Sequence, residues 1–113
     1  MLKIRSSQLS EISNRRHDEL KYRIDRWLKS DLAEWSEEPI DYRLKLVDEI
    51  IQIASSAGLY SDLDYALFVR ITAERRPDWQ AFIHSDPVQA VLNCPRRPSK
   101  AKVREVYQLS RLD

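Results

Sequence analysis

The three residue types of a hydrolase triad stand side by side in the last third of the chain. His84, Ser85 and Asp86 would supply the base, the nucleophile and the orienting carboxylate of acyl transfer. Consecutive residues, however, cannot direct their side chains at one another in the hydrogen-bonded order that this mechanism requires. We therefore interpret the segment as a helix-capping loop, and we predict neither catalytic residues nor an enzymatic activity.

Residues that hold metals or phosphates are sparse. The chain has two histidines, His17 and His84, and one cysteine, Cys94, all well separated in sequence. A zinc site needs at least three protein ligands, so this set predicts no metal site. The single glycine, Gly58, cannot build a P-loop or a dinucleotide fingerprint, and we predict no cofactor. We interpret Cys94 as a small apolar residue rather than as a nucleophile.

The closest cluster of carboxylates in the sequence stands where a helix is predicted to begin. Glu37, Glu38 and Asp41 surround Pro39, and proline is favoured in the first turn of a helix. Carboxylates at this place complement the positive end of the helix dipole. We therefore do not assign them to acid and base catalysis.

The remaining chemistry is recognition by aromatic and arginine side chains, which are common anchors of protein interfaces. Three tryptophans and five tyrosines are a large aromatic content for a small helical chain. We expect some of the tryptophans to be exposed at helix ends. The candidate partner-binding residues are Trp35, Tyr60, Arg75, Arg76, Trp79, Arg96 and Arg97. In an alternative interpretation, Trp79 and Phe82 simply cap the core.

Apolar residues at helical spacing predict the elements that carry these side chains. A first helix runs from about Ser7 to Lys29, with Ser6 or Ser7 as its N-cap. The residues of its apolar face are Leu9, Ile12, Leu20, Ile24, Trp27 and Leu28. A second helix begins at Pro39 and ends at Gly58, where a left-handed residue commonly closes a helix. Two neighbouring apolar stripes make this second helix the most buried element. Their residues are Ile40, Leu44, Val47, Ile51 and Ala54, and Leu46, Ile50, Ile53 and Ala57.

Three further helices are predicted after Gly58. Ser61, with Asp64 three residues later, caps a third helix that ends before Pro77. We place Leu63 and Leu67 on its core face. A short helical turn over 78–83 precedes a fourth helix that begins at Asp86-Pro87 and stops at Cys94-Pro95. Ser99 caps a last helix that carries Val103, Val106 and Tyr107.

These patterns indicate an all-α fold, a single compact bundle of about five helices with no sheet. The length of 113 residues suits one domain, residues 1–113. No apolar run is long enough for a membrane span, and residues 1–6 do not read as a secretion signal, so we expect a cytoplasmic protein without a membrane partner.

Charge is unevenly distributed along the chain, although the net charge is only +1. Residues 36–94 carry 5 basic and 10 acidic side chains, whereas residues 95–113 carry 6 and 2. The basic residues that lead into the last helix are Arg96, Arg97, Lys100, Lys102 and Arg104. They suit phosphate contacts or an acidic protein surface. The near-neutral total and the acidic middle disfavour nucleic acid.

The segment 57–69 resembles small helical proteins encoded beside effectors of the type VI secretion system and of related phage-like systems. The similarity lies in a helix that ends at Gly58, a serine cap with an acid three residues on, and an aromatic-valine pair, Phe68-Val69. It continues in Pro77-Asp78-Trp79 and Ser85-Asp86-Pro87. The resemblance implies a non-enzymatic adaptor or chaperone that binds a secreted effector and assists its loading.

Two alternatives stay open. An immunity protein would neutralise a cognate toxin, and its natural face against a basic active site is the acidic middle of the chain. The acidic residues concerned are Glu37, Glu38, Asp41, Asp48, Glu49, Asp62 and Asp64. A small nucleic-acid-binding regulator would use the basic segment 96–104. An exposed aromatic patch would also serve a homodimer.

Overall fold

The structure, a computed structural model, describes the backbone of residues 6–112 and the side chains of residues 18–112. Its elements are α1 Ser6–Asp31, a 3₁₀ helix Ala33–Glu37, α2 Ile40–Ser56, α3 Asp62–Ala73, α4 Trp79–Ile83, α5 Asp86–Leu92 and α6 Ser99–Ser110. No strand occurs in this range, which confirms the all-α prediction. Some predictions for the first helix concern side chains outside the described range, namely those of Ser6, Ser7, Leu9, Ile12 and His17.

The second helix is largely buried, but the more central element is α3, which packs against α1, α2, α4 and α6. Val47, Ile50 and Ala54 are fully buried, and Leu46 and Ile51 are nearly so. The predicted apolar stripe is wrong at its first member, because Ile40 begins the helix and is 55% exposed. Within residues 6–112, every helix is too short or too polar to span a lipid bilayer.

The turn after α2 follows from one glycine. Gly58 has φ +90°, in the left-handed region that other residues rarely adopt. The Leu59 amide donates to the Ala54 carbonyl at 3.0 Å and the Gly58 amide to the Ser55 carbonyl at 3.1 Å, the bond pair of a Schellman motif. Leu59 is buried beyond the turn, whereas Tyr60 is 74% exposed.

A buried carboxylate joins α1, the 3₁₀ helix and α2. Asp25 and Arg43 are each 6% exposed. One oxygen, Asp25 Oδ1, accepts from Trp35 Nε1 at 2.8 Å and from Arg43 Nε at 2.9 Å. Arg43 Nη1 also donates to the Glu38 carbonyl at 2.6 Å. Since buried charges are costly unless they are paired and hydrogen-bonded, this network requires the three elements to meet in one arrangement.

The same network explains why Trp35, one of the candidate partner-binding residues, is not exposed. Its ring is fully buried, and the Arg76 guanidinium lies 4.8 Å from the ring centroid. Arg76 Nε donates to the Ala73 carbonyl at 2.8 Å, and Nη1 lies 3.7 Å from Glu38 Oε1. Arg76 therefore covers the tryptophan from the end of α3, and both residues serve the interior.

Replacing the shared carboxylate should destabilise the fold strongly. Asp25→Ala leaves the Arg43 guanidinium buried without its counter-ion, and we expect a loss of about 3–5 kcal/mol in the free energy of unfolding, measured by urea denaturation. The matched control is Asp18→Ala on the same helix. The Asp18 carboxylate is 61% exposed and lies 3.5 Å from Lys21 Nζ, so this change should cost under about 1 kcal/mol. Equal losses for the two variants would contradict a structural role of the Asp25 network.

Candidate functional site

Contacts at both ends hold α3 and α6 parallel to each other. At their N-terminal ends, Ser99 Oγ donates to Asp64 Oδ2 at 2.5 Å. At their C-terminal ends, Arg75 Nη1 donates to the Ser110 carbonyl at 3.2 Å. The predicted Ser61 cap is confirmed, because its hydroxyl accepts from the Asp64 amide at 3.0 Å. The predicted Ser99 cap is wrong, since this buried serine is the first residue of α6 and bonds across to α3.

A buried lysine fixes the other side of α6. Lys102 is 6% exposed, and its Nζ donates to the Ala57 carbonyl at 2.5 Å and to the Leu92 carbonyl at 2.9 Å. These carbonyls lie at the C-terminal ends of α2 and α5, where helix dipoles favour a cation. Lys102 is thus part of the core, and its assignment to a basic surface was wrong.

A groove with an apolar floor runs between α3 and α6. Its volume is ≈ 460 Å³, and its apolar lining consists of Leu63, Leu67, Ile71, Val103 and Tyr107. Ile71 and Val103 are buried, whereas Leu63 is 62% and Tyr107 45% exposed. The prediction that Leu63 belongs to the core is therefore wrong, and Tyr107 is also less buried than expected. Together they leave an apolar strip open along the outer side of the helix pair.

Basic side chains dominate the rim of this α3–α6 groove. They are Lys100 and Arg104 on α6 and Arg111 directly after it, in line with Tyr107. Lys100 and Arg104 are exposed, and among the described side chains neither has a hydrogen bond or an ion pair. Arg111 is also exposed, and its guanidinium lies 5.3 Å from the Tyr107 ring centroid. Lys100 and Arg104 are therefore not paired with any described carboxylate, whereas Arg111 Nε donates to the Tyr107 hydroxyl at 3.2 Å.

The other charged groups of the groove are already engaged. Arg70 Nη1 lies 2.6 Å from Asp31 Oδ2, and its Nε lies 3.2 Å from Glu74 Oε1. Asp64, the second acid in the lining, accepts from Ser99 and is 5% exposed. The excess positive charge of the groove consequently lies on α6.

The predicted partner-binding residues do not form one face. Trp79 is only 7% exposed, so the interpretation of Trp79 as a cap on the core describes it better than an exposed anchor does. Arg75 lies 4.7 Å from the Phe82 ring centroid, beside a separate cavity of ≈ 640 Å³ that Arg76 also lines. Arg97 Nη1 lies 2.9 Å from Glu105 Oε2. Tyr60 and Arg96 are exposed, but neither they nor the other candidates line the α3–α6 groove.

Sequence analysis missed the groove although a signal for it exists. Lys100, Arg104, Tyr107 and Arg111 are separated by four, three and four residues, which places them on one face of a helix. The prediction of a basic segment over 96–104 groups Lys100 and Arg104 with their neighbours in sequence and not with Tyr107 and Arg111. Helical phase separates them from Lys102, whose side chain enters the core.

Ser85, which was considered for catalysis, has a structural role in a turn. The Ser85 hydroxyl donates to the Phe82 carbonyl at 2.7 Å, in the turn that joins α4 and α5. In the part of the chain that the structure describes, histidine, cysteine, aspartate and glutamate do not gather in groups of three or more suited to a metal ion. Cys94 is half-buried.

The acidic residues of the middle segment are spread over several neighbours. Asp64 is buried against Ser99, Asp62 Oδ2 lies 3.9 Å from Arg23 Nη1, and Glu38 pairs with Arg76. The exposed members include Glu37 and Asp41, next to Ile40. The negative charge that the sequence concentrates in this segment is therefore partly neutralised in the fold.

Comparison with known proteins gives no relative. No protein-family model matches the chain, and no curated protein or solved structure matches it either. The resemblance to accessory proteins of secretion effectors thus stays a prediction.

Removing the Lys102 ammonium should weaken the attachment of α6. In Lys102→Met, the Ala57 and Leu92 carbonyls lose a charged donor, and we expect a loss of about 1–3 kcal/mol in the free energy of unfolding. Lys100→Met, two residues away on the exposed side of α6, should change it by less than about 0.5 kcal/mol. Urea denaturation of both variants measures the difference. A Lys102→Met protein as stable as Lys100→Met would show that the two bonds contribute nothing net.

Proposed function

We propose that this protein is a protein-binding module, and that a segment of its partner docks in the α3–α6 groove. The observation that carries the proposal is an exposed apolar strip, with Leu63 at one end and Tyr107 towards the other, beside Lys100 and Arg104, which form no ion pair with a described side chain. Contiguous apolar surface rimmed by polar residues is typical of interaction sites. The role proposed is therefore binding, without a reaction.

The dimensions of the groove suit a helical segment. Both α3 and α6 have 12 residues, which corresponds to a length of about 18 Å at the usual helical rise. A partner helix of about three turns would lie alongside the pair and cover Leu63 and Tyr107 together. Such helix-in-groove binding is a common mode of peptide recognition.

Within this class we propose an adaptor or chaperone for a secreted effector, which the resemblance of residues 57–69 implies. An adaptor binds its cargo through an apolar surface and leaves the activity of the cargo intact. The immunity alternative has less support, because the acidic residues that it requires are dispersed or paired. The nucleic-acid alternative also has less support, because Lys102 is buried in the core and Arg97 is paired with Glu105, so neither is free to contact phosphates.

Site-specific photocrosslinking in the native host tests whether a protein occupies the groove. With p-benzoylphenylalanine in place of Leu63 or of Tyr107, we expect a covalent adduct to one partner protein, identified by mass spectrometry. The matched control is the same substitution at Tyr22, which is 51% exposed on α1 and lies outside the groove lining. We expect no adduct there.

The outcome of crosslinking decides the proposal directly. Adducts at Tyr22 as abundant as those at the groove, or none at Leu63 and Tyr107, would contradict docking at this site. Where a partner is found, its activity with and without the bound chain separates the two protein-binding roles. Unchanged activity supports an adaptor, whereas abolished activity supports an immunity protein.

A further inference from the structure

We infer that the α3–α6 groove selects an acidic amphipathic helix, whose apolar face covers Leu63 and Tyr107 and whose carboxylates pair with Lys100 and Arg104. This inference rests on the proposed function, because it names the chemistry of the segment that the groove would bind. The evidence is the charge of the rim, the helical spacing of its members and the polarity of the two groove ends.

The charge of the rim favours a negative ligand. Four basic residues line the groove, namely Arg70, Lys100, Arg104 and Arg111, against the two acids Asp64 and Glu74. Arg70 is neutralised by Asp31 and Glu74, and Asp64 is buried against Ser99. Among the described side chains, Lys100, Arg104 and Arg111 therefore remain without an ion pair, in a chain whose net charge is only +1. A ligand that covers them with apolar groups alone would desolvate charge without compensation.

The spacing of the rim favours a helical ligand. Lys100, Arg104 and Arg111 recur at four and seven residues, so they follow the axis of α6 along its whole length. A helix lying in the groove presents side chains three, four and seven residues apart along the same direction. Its apolar residues can contact the floor at Leu67, Ile71 and Val103, while glutamates at the same spacing face α6.

The two ends of the groove differ, which favours one orientation. Leu63 and Lys100 lie near the N-termini of α3 and α6. The first turn of α6 has no acid, so its dipole adds positive potential to that of Lys100 and Arg104, whereas Asp62 and Asp64 offset the dipole of α3. At the opposite end, just beyond the last residues of α3 and α6, the lining contains both the acid Glu74 and the cation Arg111, so the charge of that end is more nearly balanced. The C-terminal end of a bound helix, with its negative dipole end, is best placed beside Leu63 and Lys100. The bound helix would thus run antiparallel to α3 and α6.

A nucleic acid fits these features less well. Phosphates would be satisfied by Lys100 and Arg104, but the sugar-phosphate backbone offers nothing comparable to an apolar helix face for the floor at Leu67 and Val103. A second copy of the chain is the other competitor, because Ile40 is exposed between the acidic residues Glu37 and Asp41. That patch is the beginning of α2, however, where the two exposed large apolar side chains, Ile40 and Tyr42, stand two residues apart and so lie on different sides of the helix.

Titration of the full chain with designed peptides tests the inference. The first peptide is a labelled 14-residue helix with leucines on one face and glutamates flanking them, and its control carries glutamine at every glutamate. We expect fluorescence anisotropy to give at least tenfold weaker binding for the glutamine peptide. A third peptide with lysine at these positions should bind more weakly still. A benzophenone at the C-terminus of the acidic peptide should label the chain near Leu63 rather than near Arg111.

Charge reversal on the protein supplies a second readout. Lys100→Glu combined with Arg104→Glu should weaken binding of the acidic peptide at least tenfold and should strengthen binding of the lysine peptide. The matched control is Arg26→Glu combined with Lys45→Glu, which reverses two exposed cations outside the groove. This control should leave both affinities within about twofold. Circular dichroism confirms that both double variants are folded.

Several results would overturn the inference. One is equal affinity for the glutamate and glutamine peptides, and another is an unchanged preference in the Lys100→Glu, Arg104→Glu variant. A third is salt-sensitive binding of duplex DNA that this variant loses, and a fourth is a dimer, seen by sedimentation, that the acidic peptide cannot dissociate. If crosslinks at Leu63 and Tyr107 still capture a partner protein, the proposed function stands and only the chemistry assigned to its docking segment is wrong.

Discussion

The placement of α6 depends on the buried ammonium of Lys102. Its bonds to the carbonyls of Ala57 and Leu92 attach α6 to the ends of α2 and α5. Burying this charge requires carbonyls in fixed positions, so α6 has one rotational setting in which Lys102 is inside. In that setting Lys100, Arg104 and Tyr107 face outward beside α3. The groove therefore follows from the hydrogen bonds that the buried Lys102 ammonium makes to two helix ends.

Cations elsewhere in the chain divide into the same two roles. Arg43 and Arg76 are bonded inside or against the core, where they hold Asp25, Glu38 and the Trp35 ring in one cluster. That cluster joins α1, the 3₁₀ helix and α2, and α3 packs against this group. The exposed cations of α6 have no corresponding role in stability, because solvated charges without partners contribute little to folding. Binding to an acidic segment would explain why these cations are aligned beside an apolar strip.

Much of the fold was predictable from the sequence, whereas little of the site was. Gly58, Ser61 and Pro87 mark helix ends through local backbone chemistry, so the sequence located those ends to within a residue or two. Burial of individual side chains depends on tertiary packing, which local patterns do not report. Trp35 is covered by Arg76 from a distant part of the chain, and Lys102 is buried by two helix ends. A groove between helices distant in sequence requires their relative placement as well.

The most direct test of the central claim is an amide and methyl NMR spectrum of the labelled protein, recorded with and without the partner segment that crosslinking identifies. Docking in the α3–α6 groove predicts that the largest shift changes occur at Leu63, Leu67, Val103 and Tyr107. Residues on the exposed side of α1, such as Tyr22, should keep their shifts. Changes centred instead on the cavity beside Arg75 and Phe82, or on the start of α2, would contradict the claim that this groove is the docking site.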